Sequence, residues 1–187
     1  MVKNIRNRLL TFFLLALWCS AGSSHERELS SLDVIENIEG VYKHRFTNSL
    51  VTGEKYQSED IVEIVRYSSD AIYFRVKLAF YNGHGCGIYG IAKYSEGAFV
   101  YKDSFSSDPK EICTLKVIPG QKVLSITDTV DENVQSTCSR YCGARGSLTD
   151  YEIEMEKKRK IRYMPIILKS VQYLEAVEEY EDGNGKK

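Results

Sequence analysis

Between residues 71 and 81 apolar and polar side chains alternate strictly. Ile72, Phe74, Val76, Leu78 and Phe80 fall on one side, Tyr73, Arg75, Lys77 and Tyr81 on the other. Such period-two alternation marks a half-buried strand, because successive Cβ atoms point to opposite sheet faces. Ser68-Ser69-Asp70 before the run and Asn82-Gly83-His84-Gly85 after it supply turn residues. Upstream, 40–47 and 61–67 are further β-rich runs. Downstream, 86–94 and 98–105 flank Ser95-Glu96-Gly97, 112–118 and 122–127 flank Pro119-Gly120, and 148–155 alternates Tyr151, Ile153 and Met155 with Glu152 and Glu154. Short connections bearing glycine suit hairpins. The pattern predicts about eight strands, in a mainly β protein whose meander closes into a small antiparallel up-and-down β-barrel, the alternative being a β-sandwich.

Helical spacing occurs only at the ends of this series. Ser31 caps a predicted short helix through Asn37 that stops before Gly40. Pro165, suited to a first helical turn, opens a predicted C-terminal α-helix in which Ile167, Leu168, Val171, Leu174 and Val177 form an apolar stripe. The stripe is expected to dock on the barrel, and 181–187 to form a frayed polar tail.

Residues 1–24 belong to a different kind of segment. Lys3, Arg6 and Arg8 precede an apolar run at 9–18, and small residues follow at 20–24. About ten apolar residues are too few for a membrane span, and the order basic, apolar, small is that of a cleavable secretory signal. No later run approaches the length of a span. The chain is therefore expected to be exported, periplasmic or secreted. Its organisation reads as a signal peptide (1–24), an N-terminal segment with a short helix (25–39), a β-barrel domain (40–156) and a basic connection, helix and polar tail (157–187).

Composition agrees with a packed domain: 43% of the 187 residues are hydrophobic, and 13 Tyr and 7 Phe can fill a core, which excludes disorder. The net charge of −1 falls to −4 once the three basic residues of the signal are removed. Nothing global favours nucleic acid. With Cys19 in the signal, four cysteines remain: Cys86, Cys113, Cys138 and Cys142. An even number in an exported chain predicts two disulfides, with three connectivities open. The simplest is a local Cys138–Cys142 bridge, leaving Cys86 with Cys113.

Catalytic chemistry finds little support. His84 and Cys86 form a tempting pair, since a thiolate beside an imidazolium is a nucleophile, but Cys86 has three candidate disulfide partners. His44 reads as a wall residue of a strand. A zinc site from His84, Cys86, Cys138 and Cys142 lacks a specific spacing, and the glycines at 83, 85 and 87 lack the helix of a dinucleotide loop. Carboxylates are plentiful, but no pair stands out. No metal or cofactor is expected.

Two stretches suit binding. In 138–146 Arg140, Tyr141 and Arg145 lie beside two cysteines, the composition of a pinned recognition loop or of a structural corner. Lys157, Lys158, Arg159 and Lys160 form a basic run that can meet anionic polymers or lipid headgroups, the plainer reading being a solvated connection neutralised by nearby Glu.

The export signal, the Gly40-Val41-Tyr42 strand opening, Cys86 and Cys113 on neighbouring strands, and Tyr141-Cys142-Gly143 before a final strand together resemble small exported bacterial β-proteins stapled by disulfides. Periplasmic lysozyme inhibitors are among these, and calycin-type carriers are similar in architecture. The resemblance covers the layout of about 40–155 and carries over no functional residue, since the Ser-rich inhibitory loop of one such family has no counterpart. The resemblance implies the architecture alone; the function read for the chain is an exported soluble interaction module of the bacterial envelope, inhibitor-like and not an enzyme, meeting a protein partner through loops such as 138–146. The alternative is a carrier of a small apolar ligand, and the third a hydrolase using dispersed carboxylates or the Cys–His pair.

Overall fold

The alternating run at 71–81 forms a strand whose inner face is buried throughout and whose outer face is covered at Ala71 and Tyr73 but open at Lys77. A computed structural model describes residues 30–103, 112–129 and 138–185. Its strands are β1 (Gly40–Ser49), β2 (Lys55–Arg66), β3 (Ala71–Ala79), β4 (Gly85–Ser95), β5 (Ala98–Lys102), β6 (Thr114–Pro119), β7 (Val123–Thr127), β8 (Tyr151–Glu154) and β9 (Lys158–Arg159). Helix α1 (Ser31–Ile38) precedes them, and α2 (Met164–Leu168) and α3 (Val171–Gly185) follow. The expected signal at 1–24 lies outside the described residues, as does the end of the 98–105 run.

All pairings are antiparallel, and the sheet runs β8-β7-β6-β5-β4-β3-β2-β1-β9. β8 and β9 sit at opposite edges of that order, yet only the 3-10 turn Met155–Lys157 separates them. The chain thus passes from one edge to the other, bending the sheet into a nearly closed barrel rather than a sandwich. Closure agrees with a contact across the wall: the Tyr151 hydroxyl of β8 donates to Asp60 Oδ2 of β2 at 3.1 Å. Sequence alternation missed β9. Its two residues are basic and are strand-like only because they pair with Val41 and Tyr42 of β1.

Inside, Ile72, Phe74, Val76 and Leu78 join Tyr42, Ile64, Phe99, Leu115, Leu124 and Ile153 in one buried cluster. Helix α1 stoppers the end where β1 begins. Ile35 and Ile38 enter the same cluster, and the Tyr42 hydroxyl donates to the Ile38 carbonyl at 2.8 Å. The helix starts one residue earlier than expected. Ser30 is its cap: Ser30 Oγ accepts the Asp33 N–H and Asp33 returns a bond to the Ser30 N–H, while the Ser31 hydroxyl donates to the Ser69 carbonyl.

Outside, Val65, Ala71, Tyr73 and Ile91 of β2–β4 lie beneath Met164, Ile167, Tyr173, Ala176, Val177 and Tyr180. The C-terminal helix therefore packs on the barrel wall. The expected stripe does not dock as one face. The helix breaks at Lys169–Ser170, where Ser170 Oγ accepts the Tyr173 N–H and starts α3 with a new phase. Ile167 and Val177 pack, whereas Leu168, Val171 and Leu174 face solvent. Residues 181–185, expected to fray, continue α3, and the Tyr67 hydroxyl donates to Glu181.

Candidate interaction surface

The barrel end opposite α1 is built from the end of β3, the start of β4 and the segment 138–150. Two disulfides fasten it: Cys86–Cys142 and Cys113–Cys138. The expected local pairing, Cys138 with Cys142 and Cys86 with Cys113, is thereby corrected. Cys86 is on β4 and Cys113 leads into β6, and β5 lies between those strands. Two strand spacings amount to about 10 Å, beyond disulfide reach. Cys142 instead lies antiparallel against Cys86, and Cys138 turns into the core beside Cys113. In the chain-entropy model, loops of these separations, 56 and 25 residues, each contribute about 3–4 kcal/mol.

Backbone and side-chain contacts tighten the clamp. The Gly143 N–H donates to the Gly85 carbonyl at 2.8 Å. A Cβ on Gly146 would sit 2.7 Å from Cys86 Sγ, so only glycine lets this backbone cross the disulfide. Tyr141 donates to Asp103 Oδ2 at 3.0 Å, and Asp103 Oδ1 accepts the Cys113 N–H at 3.0 Å. Burial first, then the Asp103 carboxylate, push the Tyr141 phenol up to about 12. Of the loop residues expected to meet a partner, Tyr141 is thus occupied in holding the corner. Arg140 and Arg145 are exposed, and the Arg145 guanidinium lies 5.7 Å from the centre of the Tyr81 ring, itself exposed. In the alternation of the sequence Tyr81 is only a strand end. It joins this surface because the 3-10 turn Tyr81–Gly83 lifts it from the sheet. His84 is half-buried beside Gly143, and the sulfur of Cys86 is taken up in its disulfide, so no thiolate faces the imidazole.

The basic run divides. Lys157 lies between Glu154 at 3.4 Å and Glu156 at 3.9 Å, as the solvated-connection reading expects. Lys158 donates to the Asn37 carbonyl at the end of α1 and fills the space left by Gly40. Arg159 and Lys160 point into solvent.

A third feature was not singled out from sequence. Where β8 bends away towards β9, the inward-facing His44 and Phe46 of β1 are uncovered, their rings stacked at 5.3 Å. Beneath them Asp60 is buried, accepting the Ala79 N–H at 2.8 Å and the Tyr151 hydroxyl, with His44 Nδ1 at 3.7 Å. His44, Ile153, Glu154 and Lys157 line an open cleft of about 320 Å³ here. Extending the β2 alternation back through Ser58 and Asp60 would have placed this carboxylate inside. Among the described residues no cluster of three or more His, Cys, Asp or Glu is arranged to hold a metal, and no helix is long and apolar enough to cross a membrane.

No family model, curated protein or solved structure matches the chain.

Proposed function

We propose that this protein is an exported, non-catalytic interaction module of the envelope that binds a protein partner through its disulfide-clamped barrel end. The observation that carries this reading is Arg145 stacked over Tyr81 on a segment fixed by two disulfides and the Gly143–Gly85 bond. Arg and Tyr dominate binding hot spots, and a segment ordered before binding loses little entropy when it binds. The continuous side-chain packing inside the barrel speaks for this reading over a carrier, which needs room for its ligand.

The test is native mass spectrometry of the protein isolated from its own compartment, as wild type, Tyr81→Ala and Arg145→Ala. A second polypeptide should accompany the wild type and fall roughly tenfold in either variant at unchanged melting temperature. A small-molecule adduct without a polypeptide would establish the carrier instead. A polypeptide retained equally by both variants would remove the function from this surface.

A further inference from the structure

Along the outer face of the barrel, a stretch at 157–174 contains six Lys or Arg and not one Asp or Glu. The acids come directly afterwards, at Glu175, Glu178, Glu179, Glu181 and Asp182. This segregation is not used up in ion pairs. Lys157 and Lys158 have the partners described above, but Arg159, Lys160, Arg162 and Lys169 contact no carboxylate among the described residues.

Large apolar side chains stand exposed in the same stretch: Tyr163 at 66% and Ile166 at 67% between Arg162 and Lys169, Val171 at 64% and Leu174 at 56% just after Lys169. They cannot turn inward, because the opposite faces of α2 and α3 are already committed to the wall through Met164, Ile167, Tyr173 and Ala176. The break at Lys169–Ser170 is what turns Val171 and Leu174 outwards, and Ser170 holds it in place. Exposed apolar side chains grouped in this way mark an interaction site.

We infer that α2 and the first turn of α3 seat the protein on an anionic bilayer surface. Cations around an apolar helix face match the two layers such a surface offers, phosphate oxygens outside and acyl chains just below. The convex outer side of two helices suits a flat, deformable surface better than a groove-filling peptide. Charge also sets the pose. The acids from Glu175 onward are repelled from the bilayer, so the α2–α3 junction meets it and the rest of α3 tilts away. Its residues are not those of the clamped barrel end, although Gln172 borders a cleft with Gly85 and Cys86, and its test needs no protein partner.

The experiment is co-sedimentation of the full, disulfide-bonded chain with phosphatidylcholine vesicles, with or without roughly a third phosphatidylglycerol. Wild type is compared with Lys160→Glu/Arg162→Glu and with Ile166→Ser/Leu174→Ser. The same three chains lacking residues 1–24 are run beside them and decide the outcome, because the apolar run at 9–18 can by itself hold a chain on a vesicle. All four positions are exposed, so melting temperatures should agree and report on folding. The proposal expects binding to anionic vesicles that weakens with salt, with at least a roughly tenfold loss on reversing two charges and a comparable loss on removing two apolar side chains. It is overturned by equal binding of all three chains, by no preference for phosphatidylglycerol, or by retention on heparin without vesicle binding, which would make the partner an anionic polymer.

Discussion

Tyrosine does much of the joining in this molecule, and its ionisation reports on it. Tyr42, Tyr101 and Tyr151 are pushed well above the ordinary phenol range, each mainly by burial, with Glu179 adding to the effect at Tyr101 and Asp60 at Tyr151. Tyr73 and Tyr141 are raised to about 12. Unfolded, all five would titrate near about 10. The neutral phenol is the form the fold favours, so the stability linked to it is complete below the unfolded value and is lost as pH rises through the native ones. In an alkaline titration followed by phenolate absorbance, these five of the 13 tyrosines should ionise late and together with loss of structure. Smooth titration of every tyrosine near the free value, with the fold retained, would contradict the packing described.

At the scale of elements, β4 and β5 show how one small residue permits a connection. They pair only from Lys93 to Ser95, and Tyr101 crosses Gly90, where a Cβ would lie 2.4 Å from its ring. Its hydroxyl then reaches Glu179 of α3 at 3.2 Å, joining the barrel interior to the outer helix. Gly90→Ala should destabilise the fold by about 1–3 kcal/mol in chemical denaturation, because a fully packed ring has nowhere to move. An unchanged midpoint would mean that the ring is free to shift. The elements also differ in how far their pattern declared them. β3 was plain because its inward residues are all apolar. The first half of β2 was obscured because Ser58 and Asp60 take inward positions, there to meet the polar barrel end. The stripe of the C-terminal helix was visible but not its phase, which depends on Ser170 closing one helix and opening the next.

At the scale of the whole molecule, the barrel was legible because a meander of short strands with one apolar face has few other ways to bury it. The candidate surface was only half legible. Arg140, Tyr141 and Arg145 could be picked out by composition, but their association with Tyr81 and β4 depends on which cysteines meet, and that depends on the order of strands across the sheet. Spacing along the chain favours the nearest pair; β5 lying between β4 and β6 forbids the partner pair that choice would leave. The clamp that holds residues 138–150 across the barrel end is the central claim, and peptide mapping of the unreduced protein tests it directly. Cleavage after Lys and Arg cuts at Arg140 and so separates Cys138 from Cys142. Peptide 141–145 should then be found joined to 78–93, and 111–116 joined to 123–140. Peptide 141–145 joined to 123–140, with 78–93 joined to 111–116, would contradict the clamp and with it the recognition surface proposed on it.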